Sequence, residues 1–332
     1  MKRLLHAAAA AAALLMPAAP AAADGFPARA IEDSVFASPG GATDFTNRLV
    51  MAKMEEILGT TIAVQNRTGG GGAVAMHHVW SRPHDGYSLL GASEAMQSAA
   101  VLGFVPWTSK DWHWFMVAGA PGTIAVRADS PYQTLDELIA AAKANPGTIN
   151  VAHANIGSVW HLKALALARA AGVQFNSVPY EGSNPAQIAA LSGEAHAVIS
   201  GMSEQAEYLR GGEMRALAVI EMEPFQLDDI AIPAAGDSFP DIAKIPASQW
   251  VGFAVPADIP AEALAVLNAT FDAAMQDPEL RKTLTDRAMG IMGHRGETAM
   301  ARLVAMESAV GWTLQDLGIA AVDPASLGIA KP

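Results

Sequence analysis

The chain of 332 residues contains no cysteine. That absence excludes disulfides, thiolate nucleophiles, cysteine-ligated zinc and iron–sulfur clusters together. Charge is also sparse. Asp, Glu, Lys and Arg make up 16% of the residues, and the 33 acids outnumber the 21 Lys and Arg. A net charge of −12 repels nucleic acid and anionic membrane surface, so neither is an expected partner. It also offers an anionic ligand no long-range attraction, so local groups must hold one. Beyond the N-terminus no apolar run is long enough to span a membrane.

The N-terminus has its own layout. Met1-Lys2-Arg3 is basic, Leu4 to Ala18 is nearly all Ala, Leu and Met, and Ala21-Ala22-Ala23 offers small residues before Asp24. This basic–apolar–small order is that of a secretory signal peptide spanning residues 1–23, and it implies a periplasmic protein. The apolar core, about 10 to 15 residues, is short for a membrane span. No Cys follows it to carry a lipid. Cleavage removes Lys2 and Arg3 and no acid, moving the net charge from −12 to −14. Without disulfides the mature chain must rely on its core, and its length suits two domains of ordinary size.

Short apolar runs alternate with amphipathic segments. Strands are predicted at Ser34–Ala37, Thr61–Gln65, Tyr87–Gly91, Phe115–Ala118, Thr123–Arg127, Thr148–Ala152, Ser177–Pro179, Ala195–Ser200, Arg215–Ile220 and Gly252–Val255. Thr43 to Leu58 reads as a helix stopped by Gly59. Thr134 to Glu137 fits a capping box, and that helix ends at Asn145-Pro146-Gly147. Asn184-Pro185 and Asp277-Pro278 each read as an N-cap and first helical residue. Pro260 opens another helix, to about Met275, and Glu297–Leu317 forms the last. The alternation implies an α/β fold with mainly parallel sheets flanked by helices. No internal repeat is present, and Gly69 to Gly72 reads as a turn.

Three strand-to-helix loops carry candidate chemistry. The first is Ser38-Pro39-Gly40-Gly41-Ala42-Thr43-Asp44. Paired glycines let backbone approach a ligand. A helix start leaves N–H groups unpaired at the positive end of the dipole, an anion site that needs no Lys or Arg. The same run also fits an ordinary tight turn with Thr43 or Asp44 as the cap. The second loop, Asn66 to Ala73, lacks the Lys-Ser/Thr ending of a nucleotide P-loop and the spacing of a dinucleotide fingerprint. No cofactor is implied there, and Arg67 reads as structural, bonding loop carbonyls or an acid. The third loop runs from His153 through Asn155, Gly157 and Ser158 to His161. Such junctions can converge at the carboxyl ends of strands, where open α/β sheets bind ligands.

The histidines do not suggest a metal. His77 and His78 diverge on a helix, and His153 and His161 lack the close spacing of the zinc-protease motif. Ser158 near His161 raises a hydrolase reading, but no Gly-x-Ser-x-Gly elbow surrounds Ser158 and no third member is evident. Trp107, Trp112 and Trp114 read as a local cluster between surface and core.

Taken in order, six motifs resemble the extracytoplasmic solute receptors of tripartite tricarboxylate transporters, the Bug family. They are Pro39 to Asp44; Gln65 to Gly72; Pro83-His84-Asp85-Gly86-Tyr87-Ser88-Leu89-Leu90; Gly157-Ser158-Val159-Trp160-His161-Leu162; Val178-Pro179-Tyr180-Glu181-Gly182-Ser183-Asn184-Pro185; and Arg215 to Val219. The resemblance covers nearly the whole mature chain. It implies a two-lobed periplasmic-binding-protein fold with a ligand cleft between the lobes. Lobe 1 would be 24–125 plus 247–332, and lobe 2 would be 126–246. It also implies a monomer that captures a small carboxylate and hands it to a membrane permease with one large and one small subunit, or to a membrane sensor. It implies neither catalysis nor a cofactor.

Carried onto this chain, the ligand-binding residues are expected among Ser38, Pro39, Gly40, Gly41, Ala42, Thr43, Asp44, Gly71, Ser93, Glu94, His153, Asn155, Gly157, Ser158, His161, Tyr180 and Gly201. Four departures stand out: Asp33 in a strand that is usually apolar, Ala37-Ser38 in place of Phe-Pro, Glu181 where Lys is frequent, and Glu94 near the cleft. Acids at the rim suit a ligand carrying an amine. Isolated charges are more often solvated surface, and that is the expectation here. Sequencing of the exported protein should read Asp24-Gly25-Phe26, and a start at Met1 would refute the signal peptide.

Overall fold

A computed structural model describes residues 25–244 and 249–332. The expected signal peptide and the expected lobe boundary at 246/247 lie outside the described residues. The strands are β1 (Ile31–Val35), β2 (Ile62–Asn66), β3 (Ser88–Ser93), β4 (Trp112–Gly119), β5 (Gly122–Arg127), β6 (Asn150–Ala154), β7 (Asn176–Tyr180), β8 (Ala197–Gly201), β9 (Met214–Val219), the short β10 (Phe225–Leu227) and β11 (Ile230–Ile232), β12 (Val251–Pro256) and β13 (Gly290–Arg295). The helices are α1 (Ala42–Leu58), α2 (Ala73–Trp80), α3 (Met96–Ala99), α4 (Leu135–Ala144), α5 (Val159–Ala171), α6 (Ser183–Ser192), α7 (Met202–Arg210), α8 (Ala261–Gln276), α9 (Pro278–Asp286) and α10 (Gly296–Asp316).

Two main sheets result. One has the order β13-β4-β12-β3-β1-β2, the other β7-β6-β8-β5-β9. Both are mixed, which corrects the expectation of mainly parallel sheets. β1 pairs in parallel with β2 and β3, and β6 with β7 and β8. Every pairing made by β12 or β5 is antiparallel. The reason is the path of the chain. It leaves the first sheet at the end of β4, crosses at Ala120-Pro121 into β5, and returns after β9 to enter β12. A strand arriving from the other sheet starts where its neighbours finish, so it runs against them. The expected boundary at 125/126 therefore falls inside β5, whose partners are all in the second sheet.

This path fixes where the loops go. The carboxyl ends of β1, β3 and β4 point toward the second sheet, and those of β6, β7 and β8 point toward the first. The strand-to-helix loops of both sheets therefore face each other.

Apolar layers hold each sheet. Phe115 and Phe253 stack at 4.4 Å, with Phe271 of α8 edge-on to both. The expected tryptophan cluster is present and larger, since Trp80 stacks on Trp107 and Trp250 packs against Trp114. The end of α10 bridges the units, because Val310 and Leu314 share one apolar cluster with Val101, Leu102 and α5.

Several local expectations need correction. β1 begins three residues before the predicted strand, because Glu32 and Asp33 interrupt the apolar pattern. Glu32 is used by Arg67, which donates to it at 2.7 Å. β13 is an edge strand containing Gly290, Gly293 and His294, and β10–β11 is a hairpin of three-residue strands. None of these has enough apolar alternation to register in sequence. Asn184 is not the N-cap of α6, which Gly182 opens. Asp277 does cap α9, accepting from the Leu280 N–H at 2.8 Å.

Asp33 is fully buried, and neither carboxylate oxygen has a hydrogen-bond partner among the described residues. Burial pushes its carboxyl up to about 8. It is then protonated when folded and ionised when unfolded across most of the range between 3.8 and 8. Its contribution is complete at low pH and is lost as pH rises toward the folded value. Asp33→Asn should reduce the fall in unfolding free energy between about pH 6.5 and pH 8 by about 1–2 kcal/mol. Urea unfolding at the two pH values checks this, and an unchanged difference would contradict it.

Candidate functional site

A small cavity of about 30 Å³ lies where the loops of the two sheets meet. The first-sheet side contributes Phe36, Ala37, Ser38, Gly41, Ala42, Thr43, Ser93, Glu94 and Ala95. The second-sheet side contributes Ala154, Asn155, Ser158, Trp160, Gly182, Ser183 and Glu204, and Gln249 comes from the returning segment. Four helices begin here. Gly41 is the N-cap of α1, Ser158 of α5, Gly182 of α6 and Gly201 of α7. Helix starts present N–H groups and a positive dipole end. Among the described residues, none that lines the cavity is Lys or Arg.

The expected anion site at α1 already holds an anion. Glu204, in the first turn of α7, reaches across and accepts from the Ala42 N–H at 3.0 Å. Its other oxygen accepts from the Gly201 N–H at 2.9 Å. Burial raises the Glu204 carboxyl, while Ala42, Gly201 and Ser183 act to lower it. The N–H of Thr43 and that of Asp44 have no hydrogen-bond partner among the described residues.

Glu94 occupies the matching position on the other side. It is 6% exposed and lines the cavity, which corrects its expected solvated surface role. Burial pushes its carboxyl up to about 8, helped by Glu204 and opposed by its own N–H and that of Val159 at the start of α5. Its Oε2 is buried without a partner. Glu181 is exposed, as expected of a surface charge, and it borders a second cavity.

That second cavity, about 390 Å³, adjoins the first through Asn155. Gly70, Gly71, Phe104, Ile156, Pro179, Tyr180 and Glu181 line the rest of it. The structure thus divides the expected site residues. Ser38, Gly41, Ala42, Thr43, Ser93, Glu94, Asn155 and Ser158 line the inner cavity, and Gly71 and Tyr180 the outer one.

The others support the loops. Pro39 and Gly40 are exposed. Asp44 is not a helix cap: it accepts from the Gly40 N–H at 2.9 Å, from Arg48 at 3.0 Å and from Asn66 at 2.7 Å, fastening the loop. His153 is fully buried, meets Ser177 Oγ at 2.6 Å, and stacks on His161. Gly201 sits behind Glu204.

Ser158 and His161 do not form a nucleophile–base pair. The Ser158 hydroxyl donates to the Ala154 carbonyl at 2.8 Å and accepts from the His161 backbone N–H at 3.3 Å. The His161 ring accepts from the Gly157 N–H through Nδ1 at 3.1 Å, and burial holds its acidity near 4. Sequence reasoning missed Glu204, Ser183 and Gln249. For Glu204 a signal existed, since Gly201-Met202-Ser203-Glu204 follows a strand with an acid at the third helical position. With Gly in place of Ser or Thr at the cap, only half of the capping-box pattern was present.

Fold and cleft together define a two-unit α/β binding-protein fold whose βα loops face one another across a small cavity. The comparisons with known proteins carry this to a family. The model of the tripartite tricarboxylate transporter family receptor matches residues 46–314. The chain is 31% identical to protein BugT of Bordetella pertussis over 78% of this chain and 80% of that one. It is 30% identical to a UPF0065 protein from the tcbD-tcbE intergenic region of Pseudomonas sp. strain P51, over 79% and 78%. Its fold matches that of MatC from Rhodopseudomonas palustris, solved with bound malate. There the TM-score is 0.76 at 26% identity, covering 86% of this chain and all of the other. The chain belongs to the tripartite tricarboxylate transporter receptor family.

Gly157 shows how closely the two sides approach. Its φ is +82°, and a Cβ there would lie 2.3 Å from Leu102 Cδ1 and 2.7 Å from Ser98 Oγ. Gly157→Ala should lower stability by about 1–3 kcal/mol. Gly41→Ala serves as the control, because its Cβ meets nothing closer than 3.6 Å. Equal denaturation midpoints for the two variants would contradict this account of the contact.

Proposed function

We propose that this receptor works outside the inner membrane, captures a small carboxylated metabolite between two lobes, and delivers it to a membrane permease of one large and one small subunit. The lobes are 24–125 plus 247–332 and 126–246, except that the whole of β5 (Gly122–Arg127) goes with the second lobe, where its partners lie. The protein acts as a monomer and closes on its ligand. The observation that carries the reading is the convergence of four helix starts on a cavity with no Lys or Arg among its described lining residues. MatC with its malate supports the ligand class.

The ligand carboxylate accepts from the Thr43 and Asp44 N–H groups and from the Thr43 hydroxyl, with the loop from Asn155 to Ser158 opposite. Such charge-assisted bonds contribute roughly 1.5–3 kcal/mol each, and a helix start adds roughly 0.3–2 kcal/mol. Four or five donors then reach the about 8 kcal/mol that micromolar binding requires, even after ordering costs. Binding without turnover fits Ser158, whose hydroxyl proton is already committed to the Ala154 carbonyl.

A thermal-shift screen of mono-, di- and tricarboxylates tests the reading. A true ligand at about 100 times its Kd adds about 2.7 kcal/mol of stability. Thr43→Val keeps the side-chain shape and should weaken that ligand about tenfold by calorimetry. The reading fails if no carboxylate stabilises the protein, or if Thr43→Val binds as wild type.

A further inference from the structure

The inner cavity is walled by two acids from opposite sides. Glu94 follows β3 of the first sheet, and Glu204 lies in the first turn of α7 beyond the second. Each sits at a helix start of the other unit: Glu204 accepts from the Ala42 N–H of α1, and Glu94 feels the Val159 N–H of α5. Both oxygens of Glu204 have N–H partners. Glu94 differs. Its Oε2 is buried and has no hydrogen-bond partner among the described residues, and the residue lines the cavity. A buried polar atom without a partner is destabilising, more so if charged, so an unmet carboxylate oxygen in a binding cleft marks where a ligand donor belongs.

Size restricts that donor. The space beside Glu94, about 30 Å³ and lined also by Thr43, admits only a small polar group at its Glu94 end. The adjoining cavity of about 390 Å³ has room for the rest of a small metabolite. Charge restricts it too. A second carboxylate beside Glu94 and Glu204 would meet two acids and no Lys or Arg, whereas a cation would be attracted by both.

Resting on the carboxylate-receptor reading above, we propose that the solute also carries a protonated amine, which enters the inner cavity and donates to Glu94 Oε2 beside Glu204. The ligand carboxylate stays at Thr43, and its body extends past Asn155 into the outer cavity. Without a cation, burial holds the proton on the Glu94 carboxyl to about 8, and Glu204 is the acid that faces it. An ammonium drawn alongside favours the ionised form, so binding near pH 7 releases a proton to buffer.

Matched pairs separate this from a plain dicarboxylate site. Calorimetry of wild type would compare aspartate with succinate, glutamate with glutarate, and 4-aminobutyrate with butyrate, in two buffers of different ionisation enthalpy. Putrescine serves as an amine without a carboxylate. The expected result is that the amino member of the pair that fits binds at least about tenfold more tightly and releases protons. Glu94→Gln has nearly the same volume and removes a group that prefers to be neutral, so its melting temperature should not fall. The amino preference in this variant should shrink below about twofold.

If succinate or glutarate binds as well as its amino partner, the inference is wrong and the carboxylate receptor stands. A preference that survives in Glu94→Gln equally overturns it. If putrescine binds through Glu94 and no carboxylate binds, the amine seat stands and the carboxylate reading falls. Tighter succinate binding by Glu94→Gln or Glu204→Gln would show that these acids only mimic ligand carboxylates and are displaced. Failure of every probe to bind counts against both.

Discussion

Four helix starts aimed at one small space, with no cationic side chain among its described lining residues, set the constraint on which the rest of the structure depends. Positive partial charge so concentrated calls for anions. The protein meets part of that demand itself, with Glu204 at the Ala42 N–H. The cost is a pair of facing acids, and burial, with a smaller push from Glu204, raises the Glu94 carboxyl to about 8. Each feature follows from the chain crossing twice between two sheets. Those crossings turn the carboxyl ends of both sets of parallel strands toward one another.

Local field outweighs net charge in this arrangement. A chain at −12 repels an approaching anion, but at cytoplasmic or periplasmic ionic strength that repulsion is screened beyond about 8 Å. Inside the cleft the N–H groups act at hydrogen-bond distance, where each is worth more than a kcal/mol to a charged acceptor. The glycines matter for the same reason. Gly157 brings the second-sheet loop against Leu102 and Ser98, and a methyl group there would hold the two sides apart.

Much of this was legible in sequence. Gly40-Gly41 before a helix, and Gly157-Ser158 before another, showed two of the four helix starts, and the order of motifs carried the family. What stayed hidden were contacts between distant segments. Nothing local marks Glu204 as a neighbour of Ala42, 162 residues away. Asn184 looked like a helix cap, yet its amide donates to the Pro39 carbonyl across the cleft. Glu94 looked like a solvated charge because isolated acids usually are, and only its place between the facing loops of the two sheets shows it buried. The mixed sheets were missed for a related reason: strand direction depends on the crossings, which no residue pattern records.

The central claim is that helix-start amides receive the ligand carboxylate. The most direct measurement is amide proton and nitrogen shifts, followed by NMR as a bound carboxylate is titrated in. The account predicts that the Thr43 and Asp44 amide protons move downfield together, as N–H groups without a protein partner gain a charged acceptor. Shifts confined to Gly70, Gly71 and Tyr180, with Thr43 and Asp44 unmoved, would place the ligand in the outer cavity and contradict it.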